Sequence, residues 1–172
     1  TLIKILEKNI NLFYKKKILT LSLDDYYLSK KERISLSKKK HDLFLTRGVP
    51  GTHDTKLLIK NLNQIKKKQN PINLPIFDKL NDDKSKKVKK INYKADIIIL
   101  EGWCCDSSPI KKYYLKKNIN NLERIKDDKM IWRKYYNNRK HQNAPYLLKI
   151  LFPGLSLLFC LAPSQNWDYK AV

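Results

Sequence analysis

The sequence predicts an α/β fold with an open, mostly parallel sheet flanked by helices, and three observations carry that reading. Segments with apolar residues at helical spacing alternate with short runs, Ile18 to Leu23 and Ala95 to Leu100, that are apolar almost throughout. Such runs suit strands buried on both faces, and their alternation with helices implies a parallel sheet. Both runs end in carboxylates, Asp24-Asp25 and Glu101. In open sheets ligands bind where the carboxyl ends of the strands emerge, so acids at two strand tips mark a candidate site.

In chain order, Leu2, Ile3, Leu6, Ile10 and Phe13 recur at helical spacing, and Lys15 to Lys17 place positive charge at the helix end. The first strand follows from Ile18 and stops at Asp24-Asp25. Residues 26 to 54 are polar and irregular, with room for a helix between Ser29 and Lys40. Leu58, Leu62 and Ile65 share one face of the next helix, which meets a breaker at Lys68-Gln69-Asn70-Pro71. Residues 70 to 92, with Pro71, Pro75 and the Lys-rich stretch Asn81 to Lys90, are expected to form a loop. After the second strand, Leu115, Ile119, Leu122 and Ile125 predict a helix, and another is expected over Asp128 to Lys140. Leu155 to Leu161 can supply a last strand.

A chain of 172 residues is the size of one domain with a substantial core. It opens at Thr1, already within a helical pattern, so it is expected to be a fragment: one partial domain over 1–172. No run approaches the ~20 apolar residues of a membrane span; the longest, Leu147 to Ala162, is broken by Lys149, Pro153, Gly154 and Ser156. Leu2 to Phe13 carries Lys4, Glu7 and Lys8 and does not read as a secretory leader. The expectation is a cytoplasmic protein with no membrane partner. Cys104, Cys105 and Cys160 make neither a metal spacing nor a disulfide framework, and read as small buried residues. The net charge of +21 raises nucleic acid as a partner. Only five of the 37 basic residues are Arg, however, and Arg is the usual reader of phosphates and base edges. Solvated lysine faces are the better reading, and nucleic acid is not an expected partner.

Three stretches carry chemistry. In Ser22-Leu23-Asp24-Asp25-Tyr26-Tyr27-Leu28, a strand-end carboxylate can take the proton of a hydroxyl attacking a phosphoryl group; the plainer alternative is an Asp pair capping a helix. Thr46-Arg47-Gly48-Val49-Pro50-Gly51-Thr52-His53-Asp54 holds two of the four glycines beside Arg, His and Asp. Arg47 can grip a carboxylate or phosphate with two bonds, although a turn capped by Asp54 explains the same loop structurally. Asp96-Ile97-Ile98-Ile99-Leu100-Glu101-Gly102-Trp103 is a Walker-B-like strand whose terminal acid can orient Mg²⁺ or its water shell.

These stretches, with Leu74-Pro75-Ile76-Phe77-Asp78-Lys79 between the second and third, occur in an order that resembles the D-glycerate 3-kinase-like family of P-loop kinases, relatives of uridine kinase, pantothenate kinase and phosphoribulokinase. The Arg-Gly-x-Pro-Gly-Thr-His-Asp run is the most specific part. The resemblance covers about residues 1 to 138, ending in Trp132-Arg133-Lys134-Tyr135-Tyr136-Asn137-Asn138, while 139–172 diverge. It implies a P-loop-type nucleoside triphosphate hydrolase fold, incomplete at its N-terminus and divergent at its C-terminus. It also implies an ATP- and Mg²⁺-dependent kinase whose acceptor is a hydroxyl of glycerate or a similar small metabolite. By the same resemblance Asp24 is the catalytic base or orienter, and Glu101 is the acid near Mg²⁺. Asp25, Tyr27, Arg47, Thr52, His53 and Asp54 belong to the substrate side, and Asp78 and Lys79 to a second loop near the phosphates. Thr1 would be a remnant of the end of the phosphate loop.

The departures are specific. No glycine precedes Gly48, so these residues cannot build a phosphate-cradling loop, and the 172-residue chain alone is not expected to phosphorylate anything. The segment after Lys79 lacks the glycines and arginine the resemblance leads one to expect, and Asp106 stands where Gly is more usual. Two alternatives stay open: uridine- or pantothenate-kinase-like activity on another acceptor, and a non-catalytic basic protein that binds nucleic acid.

Overall fold

The computed structural model describes residues 2–102, 105, 109–139 and 157–159. Thr1, Trp103, Cys104, Asp106 and most of the divergent segment lie outside them. Helix α1 (Leu2–Tyr14) leads into strand β1 (Ile18–Ser22), and a 3₁₀ turn (Leu23–Tyr26) follows the strand directly. Helix α2 (Lys30–Lys39) begins at Ser29, whose side chain accepts from Glu32 N while the Glu32 carboxylate accepts from Ser29 N. This reciprocal cap satisfies two otherwise unpaired donors. Helix α3 (Thr55–Lys66) starts at Asp54, which accepts from Leu57 N at 3.0 Å.

Strand β4 (Ile97–Glu101) lies between β1 and β5 (Leu157–Phe159), parallel to both. Its position explains its composition: Ile98, Ile99 and Leu100 are buried, as a strand covered on both faces requires. The β1–β4 register pairs Ile18 with Ile97 and Ser22 with Glu101. At the amino ends Asp96 fixes that register, accepting from Lys17 N at 2.8 Å and donating its own N–H to Lys17 O at 2.8 Å. At the carboxyl ends the fit is tight. Gly102 has φ of +148°, and a Cβ there would lie 2.6 Å from Leu23 Cβ, so only glycine lets β4 leave the sheet beside the 3₁₀ turn.

Residues 70–92 are a correction to the expected loop: they form an antiparallel hairpin of β2 (Ile72–Asp78) and β3 (Asp83–Ile91), with a register shift between Pro75 and Phe77. The pattern concealed it because β3 is half-buried over Asp83 to Ser85, exposed from Lys86 to Lys90 and buried only at Ile91, so its lysines show no apolar alternation. Backbone pairing with β2 makes it a strand. Ile72 and Leu74 join Leu19, Leu21, Leu58, Leu62, Ile98, Leu100 and Cys105 in the main core, which bears out the reading of Cys105 as a small buried residue.

The helix expected through Leu115 to Ile125 is also corrected. A 3₁₀ turn (Lys112–Leu115) and the short helix α4 (Asn121–Lys126) are separate. Asn120 caps α4 by accepting from Glu123 N, and the buried Glu123 carboxylate accepts from Ile119 N. With the chain turned into a cap there, Ile119, Leu122 and Ile125 remain largely exposed. Helix α5 (Ile131–Arg139) packs Trp132 and Tyr136 on Phe44 in a second core, with Leu36, Leu43 and Val49 around it.

Candidate active site

The parallel register brings the tips of β1 and β4 to one edge of the sheet, so Asp24, two residues beyond Ser22, emerges at the same edge as Glu101. Asp24 lies in the 3₁₀ turn with both carboxylate oxygens engaged. Oδ1 accepts from the Tyr27 hydroxyl at 3.2 Å, and Oδ2 from Lys79 Nζ at 3.0 Å. No described residue donates to the Glu101 carboxylate, which ends β4 half-buried.

The neighbouring Asp25 has a different task. Its Oδ1 accepts from Phe77 N at 3.1 Å and so ties the turn after β1 to β2. Its charge also adds to burial in pushing the Tyr26 hydroxyl above the ordinary tyrosine range. That hydroxyl donates to Asn61 at 3.2 Å inside the core.

Residues 46–54 pack under Tyr27. Gly48 and Gly51 take φ of 135° and 101°, which other residues resist. Thr52 is fully buried, and its hydroxyl donates to Val49 O at 2.7 Å and accepts from Gly48 N at 3.2 Å. It therefore closes the turn on itself. Leu28 N donates to Thr52 O and Asp54 N to Tyr26 O, so loop and 3₁₀ turn are bound backbone to backbone. His53 stacks on Tyr27 at 4.4 Å between ring centroids, and neither ring nitrogen has a hydrogen-bond partner among the described residues. Burial pushes its pKa down to about 4, against the opposing pull of the Asp24 charge. At neutral pH this imidazole is uncharged.

The hairpin completes the edge. Asp78 accepts from Leu80 N, Asn81 N and Asn81 Nδ2 and so shapes the turn; the Asn81 bonds hold its carboxyl below the usual range. Lys79 reaches Asp24 from that turn. Lys84 Nζ bridges Asp54 at 2.9 Å and Glu32 at 3.2 Å. Burial alone would lower the Lys84 pKa, but those two carboxylates raise it. Arg47 binds Asp82 and lies over the Phe77 ring at 5.5 Å.

The residues singled out from sequence thus meet at one edge, with two kinds of role. Asp24, Tyr27, His53 and Lys79 face one another, and Glu101 ends the adjacent strand. Asp25, Thr52, Asp54 and Asp78 are committed to backbone bonds that build the site. Thr1 lies outside the described residues. Sequence reasoning missed Arg33, Asp82 and Lys84. A usable signal existed for Arg33: arginine is scarce in this lysine-rich chain, and this one is buried with its guanidinium bonded to Leu28 O, Leu45 O and Asp82.

No protein-family model matches the chain. It is 38% identical over 100 residues to the Probable ATP-dependent kinase TDA10 of Saccharomyces cerevisiae, covering 52% of this chain and 34% of that protein. Over 104 residues it is 33% identical to the Uncharacterized kinase mug58 of Schizosaccharomyces pombe, covering 54% and 37%. A 64-residue stretch is 31% identical to the pantothenate kinase of Bacillus subtilis, covering 37% and 20%. The matched stretches are therefore about a third, or less, of those relatives' length. Among solved structures, the YGR205w protein superposes with a TM-score of 0.67 at 28% identity, over 91% of this chain and 54% of that one. D-glycerate 3-kinase from Cryptococcus neoformans shares the fold at a TM-score of 0.65 and 24% identity, over 92% and 58%. The chain is thus similar in sequence to ATP-dependent and other small-molecule kinases, and it shares the fold of the D-glycerate 3-kinase structure.

Proposed function

We propose that the full-length protein transfers the γ-phosphoryl group of ATP to a hydroxyl of a small hydroxy acid such as glycerate, with Asp24 as the base. The observation that carries this reading is the parallel pairing of Ser22 with Glu101, which puts the Asp24 turn and the Glu101 tip at one sheet edge. Support comes from the kinases it resembles. In the reaction the acceptor oxygen forms a bond to the γ-phosphorus, the bond from that phosphorus to the β–γ bridging oxygen breaks, and ADP leaves. The hydroxyl proton passes to Asp24. Phosphoryl transfer asks a protein mainly for positioning and charge stabilisation, and the bonded frame of residues 24–28, 46–54 and 72–84 supplies the positioning.

Mg²⁺ fits the acids present. It keeps several waters and commonly takes only one or two protein carboxylates. Among the described residues no group of three or more His, Cys, Asp or Glu gathers into a full metal cage. Glu101 would hold the ion directly or through water, and the ion would neutralise phosphate charge. Tyr27 and Lys79 hold Asp24, while the uncharged His53 supports the Tyr27 ring and leaves the local charge to Lys79.

A coupled ADP-release assay on the full-length protein with glycerate, uridine and pantothenate tests the proposal. Turnover is expected with glycerate or a related hydroxy acid. Preference for pantothenate would favour the acceptor of the Bacillus subtilis relative, and absence of turnover with every acceptor would contradict a kinase.

A further inference from the structure

Asp82 holds a singular place in the hairpin. It lies in the β2–β3 turn with φ of +53° and receives two arginines from two different segments. Arg33 Nη2, from α2, donates to its Oδ2 at 2.8 Å and to its backbone carbonyl at 2.7 Å. Arg47, from the glycine-containing loop, binds its other oxygen. Desolvation would raise the Asp82 carboxyl, but the two arginines hold it below the usual range. Arg33 is buried, and its remaining donors reach Leu28 O and Leu45 O. Asp83 beside it accepts from Lys30 N at 3.0 Å. The turn is therefore clamped to α2 and to the 46–54 loop, and at its other side Lys79 reaches Asp24.

The clamp has a chemical consequence. Arg47 spends Nη1 on Asp82 and lies over the Phe77 ring, which leaves Lys79 as the more exposed cation, beside Asp24. The Lys79 side chain is 63% exposed, and it is a flexible point charge that can exchange partners. We propose that Asp82 is a positioning residue that holds Lys79 over Asp24, and that an acceptor carboxylate draws Lys79 off Asp24 Oδ2 and frees that oxygen for the acceptor hydroxyl. The inference rests on Asp24 as the base, and it makes the substrate class a small hydroxy acid for a stated reason. A neutral alcohol leaves Lys79 paired with Asp24.

The test uses the full-length protein with glycerate and with glycerol, which lacks the carboxylate. Lys79→Met is expected to raise the glycerate KM about tenfold or more and to abolish the preference for glycerate over glycerol. Asp82→Asn is expected to raise the same KM and to add nothing further in the Lys79→Met background. An unchanged glycerate-to-glycerol ratio in Lys79→Met, or full additivity of the two substitutions, overturns the proposal. Hydrogen exchange over residues 72–91 gives an activity-independent readout: Asp82→Asn should accelerate it, and wild-type protection would refute the clamp. If Asp82→Asn fails to fold, Arg47→Lys loosens one arm alone and is expected to shift the KM in the same direction; an unchanged KM there counts against the clamp. Should wild type phosphorylate no acceptor, the kinase reading fails, while the exchange comparison still decides whether Asp82 holds the hairpin.

Discussion

Two arginine–carboxylate centres in this chain look alike on paper and differ in environment. Arg133 and Glu123 pair at 2.7 Å between α5 and α4, with both side chains at most 3% exposed. Arg133 also donates to Lys117 O and Tyr114 O, so this centre pins a loop to two helices. The Asp82 centre joins the buried Arg33 to an acid whose side chain is 36% exposed and leads by way of the hairpin turn to Lys79 and Asp24. The first is closed to ligands and fixes architecture. The second is buried at one end and open at the other, which suits a site that must hold its shape yet exchange a partner.

Breaking the closed centre should produce the largest loss of stability. Glu123→Gln strands a buried guanidinium, and removing one partner of such a pair typically costs ~3–5 kcal/mol. Urea unfolding should record that loss, with turnover per folded molecule unchanged. A loss below ~1 kcal/mol would show that the pair is solvated and the contrast false.

Acid should act next, at His53. Its unfolded value is near 6.5 and its folded value about 4, so between those pH values the unfolded chain binds a proton that the folded chain does not. Stability contributed by the uncharged ring is full above pH ~6.5 and falls as pH drops toward 4. At ~1.4 kcal/mol per pH unit the loss is on the order of 3 kcal/mol. His53→Phe should flatten this part of the stability–pH curve; the same slope in the variant would assign the titration elsewhere.

The open centre should respond least in stability. Lys79→Met removes an exposed pair worth ~1 kcal/mol or less, so the unfolding midpoint should barely move even as the acceptor KM rises. A large drop in the midpoint would make Lys79 structural.

Much of this was legible in the chain. The apolar spacing of α3 and the unbroken Ile97–Leu100 run were readable because burial writes periodicity directly into sequence; α1 forms as its spacing predicts, yet Phe13 on it is 74% exposed. That Asp24 and Glu101 would lie at one sheet edge was readable because acids end both apolar runs, and parallel strands bring their carboxyl ends together. The hairpin was hidden because β3 is held by backbone bonds and end contacts, which leave no apolar pattern. The Asp82 clamp was hidden for a related reason: its partners lie 49 and 35 positions away, a distance that no local pattern encodes. Thr52 and Asp54 were found by residue type, yet type alone could not tell a loop-building bond from a ligand contact.

The central claim, that the carboxyl edge of β1 and β4 is where a hydroxyl loses its proton, is tested most directly by Asp24→Asn in the full-length protein. The amide keeps the shape and the contact with Tyr27 but cannot take a proton. Losing a general base typically costs ~10²–10⁴-fold, so kcat should fall by that factor while the KM for ATP stays near wild type. An unchanged kcat would remove Asp24 from the chemistry and contradict the account.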